Sequence, residues 1–297
     1  MRFNEDADLD TSQVSDQRGM GGRLAVGGGG LGIVGLIIYF VISQIGGGGG
    51  GTALPPGLGD LGQGEQVNSS SLAERCKTGA DANRDSDCRA VAFINSIQSY
   101  WTGQLDGYRE VETNFFSSSV QTGCGNASSA TGPFYCPADS EVYIDLTFFQ
   151  ELTDRFGAQG GPFVEAYVLA HEYGHHVQNL LGTSADVGGA TGPKSGSVRL
   201  ELQADCYAGA WANHATKTPT ENGEPLITEV TQQDVAAALD AASRIGDDYI
   251  QRELGGGKVD TTQFSHGSSA QRQKWYTTGY ESGDPNRCDT FGTDNLG

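Results

Sequence analysis

The 297-residue chain reads as an α+β fold, mostly helical with a small sheet, preceded by one transmembrane helix. Three observations lead there. Residues 162–181 and 197–211 carry apolar side chains at three- and four-residue steps, the period of helices packed on one side. Two short runs between turn residues, Phe134 to Cys136 and Val142 to Leu146, have the aromatic and β-branched composition of strands. Residues 24–45 hold no charged side chain.

Residues 1–23 stand apart as a cytoplasmic N-terminal segment. The 22 residues of the apolar run extend about 33 Å as a helix, enough to cross the hydrocarbon of a bilayer. Arg18 and Arg23 precede it and the next basic residue is Arg75, so the basic flank keeps the N-terminus cytoplasmic and exports the rest. The run ends without a small-x-small cleavage signal, which favours a retained anchor over a removed signal peptide. Residues 46–70, with an unbroken Gly46 to Gly51 and Pro55-Pro56, read as a flexible linker. Residues 71–297 then form one domain, large enough for its own core.

That domain opens with a helix over 86–101, where Ala90, Phe93, Ile94, Ile97 and Trp101 share a face. After the two strands comes a short helix, 149–156, ended by Gly157. Pro162 suits the first turn of the next helix and Gly182 its end. A Gly-rich loop, 182–196, leads to the helix over 197–211. Residues 231–254 read as one long packing helix, with Val235, Ala238, Leu239, Ala242, Ile245 and Ile250 as its apolar stripe.

Charge and cysteines narrow the setting. The chain has 18 basic and 37 acidic side chains; beyond the apolar run 15 and 32 remain, a net of −17. Such a surface repels nucleic acid and anionic lipid headgroups, which excludes nucleic acid as a partner. All six cysteines follow the apolar run, an even number suited to disulfides in an oxidising compartment. Local spacing favours Cys76–Cys88 and Cys124–Cys136, leaving Cys206–Cys288; Cys206 as a metal ligand is disfavoured because it points off the Glu201 face.

Chemistry concentrates at His171-Glu172-Tyr173-Gly174-His175. On a helix, residues four apart share a face, so His171 and His175 reach one ion, and Glu172 beside them serves as a general base. Gly174 lets another segment approach closely. His176 falls on another face and reads as structural or exposed; His214 ends the second helix, where an imidazolium suits the dipole. A catalytic zinc keeps three protein ligands and a position for water. Glu201 is the candidate third ligand, and Asp205, one turn on, the acceptor for a ligand histidine's free N–H. Alone the pair would read as a solvated helix face; 26 residues after H-E-x-x-H it reads as part of a metal site.

H-E-x-x-H with a downstream Glu-x-x-Ala-Asp is similar to the glutamate-zincins. The combination of His171-Glu-Tyr-Gly-His-His-Val-Gln178, Glu201-Leu-Gln-Ala-Asp205-Cys206-Tyr-Ala-Gly-Ala-Trp211, His266-Gly-Ser-Ser-Ala-Gln-Arg272 and an N-terminal membrane segment resembles the neutral zinc metallopeptidases of the YpfJ-like family. The resemblance, over residues 70–285, implies a zincin-like fold, zinc held by His171, His175 and Glu201, and a peptide or protein substrate. It also implies that Val142 to Leu146 pairs with extended substrate, and that His266 approaches the site to stabilise an oxyanion. Gly267 follows His266 where the related HtpX-like peptidases often have proline. The expected function is a membrane-anchored, extracytoplasmic zinc endopeptidase. The alternatives are a catalytically silent, zinc-stabilised exported binding or scaffold protein and a metal-free interaction domain.

Overall fold

Two stretches of chain, far apart in sequence, build the fold. The structure is a computed structural model and describes residues 1–18, 71–185, 187–220 and 223–297. Strand β1 (Arg2–Phe3) pairs antiparallel with β8 (Ile227–Glu229), and β2 (Val14–Asp16) lies parallel to β3 (Thr113–Phe115). Three helices follow residue 71: α1 (Leu72–Arg75), α2 (Gly79–Ala82) and α3 (Ser86–Gln104). Beyond β3 come the hairpin β4 (Ser119–Thr122) and β5 (Gly125–Ser128), then β6 (Phe134–Cys136) and β7 (Glu141–Ile144). The remainder is helical: α4 (Phe148–Asp154), α5 (Pro162–Leu180), α6 (Gly196–His214), α7 (Gln232–Arg244), α8 (Asp247–Glu253) and α9 (Ser269–Ser282).

The main sheet runs β2-β3-β7-β6, with β6 antiparallel at one edge. It covers α5, whose Phe163, Tyr167, Tyr173 and Val177 are buried in one core with Phe93 and Ile97 of α3 and Trp211 of α6. Pro162 starts α5 with its fixed φ, and Gly182, at φ +74°, takes the left-handed turn after it. Ser195 caps α6, its Oγ accepting the Val198 N–H at 3.3 Å. The disulfides are Cys76–Cys88, Cys124–Cys136 and Cys206–Cys288; the last ties α6 to the C-terminal segment.

Three expectations change. The described part of the N-terminal segment, residues 1–18, does not stand apart. Phe3 and Ala7 are buried, and β2 forms an edge of the main sheet. Its strands have three residues or fewer, too short for periodicity, and their pairing partners lie far along the chain. The helix over 231–254 is two helices, broken at Ile245–Gly246, where a Cβ on Gly246 would stand 2.3 Å from the Ser269 nitrogen. The strand at Val142 is flanked on both sides, by β3 and β6, so it has no free edge for substrate. No helix among the described residues is long and apolar enough to cross a membrane. The expected span 24–45 and linker 46–70 lie outside the described residues.

Candidate metal centre

The crossing of α5 and α6 brings the two acidic and imidazole pairs together. Gly174 permits it: a Cβ there would sit 3.0 Å from the Ala204 Cα on α6. Among the described residues His171, His175 and Glu201 form the one group able to hold a metal ion, their ligand atoms lying within 4.8 Å of one another. His171 Nε2 is 3.1 Å from Glu201 Oε2, His175 Nε2 is 3.4 Å from Glu201 Oε1, and the two Nε2 atoms are 3.2 Å apart. Zinc bonds of about 2.0–2.2 Å at a tetrahedral angle separate ligand atoms by about 3.3–3.6 Å, close to these spacings.

Neighbours fix which ring nitrogens carry hydrogen. Asp205 Oδ1, 2.9 Å from His171 Nδ1, can only accept, so that nitrogen donates. Gln178 uses its amide NH₂ on the Leu200 carbonyl and Gln203, turning its Oε1 to His175 Nδ1 at 2.9 Å. With both rings neutral, these contacts leave each Nε2 with a lone pair turned toward the other and toward a carboxylate, an arrangement that positive charge between them relieves, whether a proton on His171 Nε2 or a metal ion. The cluster's own attraction for positive charge has the same origin. Burial opposes a charge on His171, yet the Asp205 and Glu201 carboxylates outweigh it and raise its pKa to about 10. Burial keeps His175 neutral, at about 4.

Asp205 is the hub behind the ligands. Fully buried, it also accepts the Tyr167 hydroxyl at 2.6 Å and the Arg272 guanidinium through Nε at 2.8 Å and Nη2 at 2.9 Å. Burial disfavours its charge, but Arg272 and His171 prevail and hold its pKa down. Arg272 and Tyr167 were not singled out from the sequence. Arg272 belongs to the H-x₅-R pattern that begins at His266, which was the available signal.

Glu172 lines the same cavity as the cluster. Its Oε2 accepts the Tyr135 N–H of β6 at 3.0 Å, and its Oε1 has no donor among the described residues. Burial pushes its pKa up to about 7, the range suited to a general base at neutral pH. His266 is buried in the same cavity wall. Asp247, at the start of α8, accepts the N–H groups of Ser265, His266 and Gly267 at 2.8–3.0 Å and lies 3.3 Å from His266 Nδ1. The helix break at Ile245–Gly246 puts Asp247 there, so reading one continuous helix hid it. Gly267 takes φ +92°, which neither proline nor an unstrained L residue adopts, and this turn aims His266 at the cavity. Burial opposes a charge on His266, but Glu201 and Asp247 raise its pKa.

The other two histidines are structural. His176 is buried, donating from Nε2 to the Arg109 carbonyl at 2.7 Å and accepting the Tyr135 hydroxyl at 3.2 Å. His214 donates to the Gly283 carbonyl at 3.0 Å. Around the cluster is a cavity of about 420 Å³, walled by Phe134, Phe148, Phe156, Val168, Ile245 and Ile250.

A family model described as "Putative neutral zinc metallopeptidase" matches residues 2–291, and the chain belongs to that family. An uncharacterized protein of Mycobacterium tuberculosis (strain H37Rv) is 52% identical over 225 residues, covering 75% of this chain and 76% of that one. The uncharacterized protein YpfJ of Escherichia coli K12 is 36% identical over 299 residues, covering 95% and 96%. No solved structure matches.

Proposed function

We propose that this member of the family is a zinc-dependent endopeptidase. One observation carries the reading: two imidazoles and a buried carboxylate converge at 3.1–3.4 Å beside a second buried carboxylate, in an apolar-walled cavity of about 420 Å³. A purely structural zinc has no use for that second carboxylate. His171, His175 and Glu201 would hold the ion. When bound, zinc supplies Lewis-acid chemistry, acidifying a water and polarising a carbonyl.

The chain's own groups do the rest. Glu172 Oε1 takes the proton from the attacking water and returns it to the leaving amine as the C–N bond breaks. Tyr135 N–H holds the other oxygen and so fixes the direction of the base. Protonated His266, with Nδ1–H donating to Asp247, offers Nε2–H to the oxyanion. Asp205 and Arg272 hold His171, and Gln178 holds His175, so neither ring needs to reorient when charge develops. The apolar wall excludes water and strengthens these interactions. Val142 to Leu146 has no free edge for substrate, and of the edge strand β6 the Tyr135 N–H is already held by Glu172, so substrate is gripped by the cavity wall rather than by a strand ladder. Pro133 and Pro137 remove N–H donors around β6, which also guards the edge against self-association. The three disulfides favour an oxidising, extracytoplasmic setting.

The test is zinc content and cleavage of an unfolded protein such as casein by the purified chain. The proposal expects about one zinc per chain and cleavage that chelation abolishes and zinc restores. One zinc per chain without cleavage of any substrate in a broad peptide library would reject it.

A further inference from the structure

Gln178 and Gln203 are both buried, and a buried primary amide must find an acceptor for its NH₂ and a donor for its oxygen. Gln178 lies three residues after His175 and shares its face of α5. One hydrogen of its NH₂ goes to the Leu200 carbonyl at 2.7 Å and the other to Gln203 Oε1 at 3.1 Å. Gln203, on α6, sends its own NH₂ to the Cys288 carbonyl at 3.0 Å. That carbonyl also accepts the Thr290 N–H at 3.0 Å. Its residue is tied back to α6 by the Cys206–Cys288 disulfide. The segment is pinned further along, where Thr290 Oγ1 donates to the Arg199 carbonyl at 2.7 Å and Arg199 Nη1 to the Thr293 carbonyl at 2.7 Å.

A peptide carbonyl can only accept, so Cys288 sets the sense of every group in this row. Gln203 must turn its NH₂ to that carbonyl, which leaves its oxygen facing Gln178. Gln178 must donate to that oxygen, which leaves its own oxygen 2.9 Å from His175 Nδ1. Nδ1 then carries the hydrogen, and Nε2, 3.4 Å from Glu201 Oε1, keeps a lone pair. The Leu200 carbonyl alone would fix the same sense but not the same aim. An amide held by one hydrogen bond pivots about it, whereas two bonds from one NH₂ group fix its plane and so the position of its oxygen.

We propose that Gln203 is a positioning residue of the metal centre, and that the C-terminal segment, held by the Cys206–Cys288 disulfide, aims the His175 ring through the row Cys288 carbonyl, Gln203, Gln178. None of these groups touches the ion; each acts through the next. The two histidines are then supported from different sides, His171 by the buried Asp205 and Arg272 and His175 by a neutral row that ends in a segment more than 80 residues beyond Gln203. The proposal rests on His175 being a zinc ligand, but the hydrogen bond it describes exists in the metal-free protein as well.

Gln203→Met keeps the side chain's length and removes both of its hydrogen bonds. Zinc affinity, measured on the full chain by chelator competition at a temperature where every variant is folded, should fall about tenfold, the low end for a group behind a metal ligand. Opening the disulfide with Cys206→Ala and Cys288→Ala should weaken zinc by about two- to tenfold. Adding Gln203→Met to that pair should leave affinity within about twofold of Gln203→Met alone, because both act on one row. Cys76→Ala with Cys88→Ala, which loosens the fold elsewhere, should stay within about twofold of the parent. A loss below about twofold for Gln203→Met or for the opened Cys206–Cys288 pair overturns the proposal, as does a combined loss equal to the product of the two or an equal loss in the Cys76–Cys88 control. The second measurement uses zinc-free protein at pH 7. NMR of the His175 ring should show a hydrogen on Nδ1 that exchanges with water at least about tenfold faster in Gln203→Met than in the parent. A hydrogen on Nε2 in the parent, or unchanged exchange in the variant, overturns the row. A parent that binds no zinc rejects the proposed function instead and leaves this second measurement to decide.

Discussion

Replacing Asp205 by asparagine tests whether the buried network behind His171 organises the metal centre. Asp205 accepts four hydrogen bonds, from Tyr167, His171 and twice from Arg272, and is fully buried. Charge-assisted bonds of about 1.5–3 kcal/mol each would sum to far more than any such variant loses, because both states bear the cost of desolvation. The relevant quantity is the charge left alone: Arg272, 3% exposed, would keep its guanidinium without a carboxylate. Removing one partner of a buried pair costs about 3–5 kcal/mol. For a unit of this size 1 kcal/mol shifts Tm by about 2–4 °C, so Asp205→Asn should melt about 12 °C lower. Zinc affinity should also fall about 10–100-fold, since His171 loses the group that holds its tautomer. Asp205→Asn combined with Arg272→Leu removes the stranded charge and should recover much of the melting temperature but none of the zinc affinity. Calorimetry and competition with a chromophoric chelator read the two effects separately. A single variant that melts within 2 °C of the parent would refute the reasoning.

Three further outcomes follow from particular contacts. Burial disfavours the Asp87 charge, but Arg18 and Arg75 outweigh it and hold its pKa below the usual carboxylate range. Its stabilisation is therefore present above the unfolded pKa near 4 and is lost as pH falls through the folded value. Asp87→Asn should cost about 2–3 kcal/mol in urea unfolding at pH 7, and the gap to the parent should shrink at pH 3. Gly267→Ala forces a Cβ to φ +92°, 3.2 Å from Gln271 Oε1 and 3.3 Å from Leu202. It should cost about 1–2 kcal/mol and lower kcat by displacing His266, with zinc content unchanged by metal analysis. Opening Cys206–Cys288, which closes 82 residues, should destabilise by about 4.5 kcal/mol against about 2.8 kcal/mol for the 12-residue Cys76–Cys88 loop, measured on the Cys→Ala pairs.

The parts of this molecule readable from sequence are those whose information is local. His171 and His175 share a helix face by spacing alone, as do Glu201 and Asp205, and the structure brings all four within one cluster. The cysteine pairs followed from even number and short loops. What stayed hidden depends on contacts between distant segments. Residues 1–18 contribute strands of two and three residues whose partners lie about 225 and 100 positions away, respectively, so no periodicity marks them. Val142 has a strand's composition, yet composition cannot say which strand takes the edge. Asp247 sits where the apolar stripe of the sequence runs on through Ile245 and Ile250; the break comes from the approach of Ser269, which only the assembled fold supplies.

Peptide cleavage by Glu172→Gln, assayed in samples whose bound zinc is measured, tests the catalytic reading most directly. The amide is nearly isosteric and can still accept the Tyr135 N–H, but cannot take a proton from water. The account predicts an unchanged zinc content and cleavage reduced on the order of 1,000-fold. Cleavage within tenfold of the parent at equal zinc occupancy would contradict it.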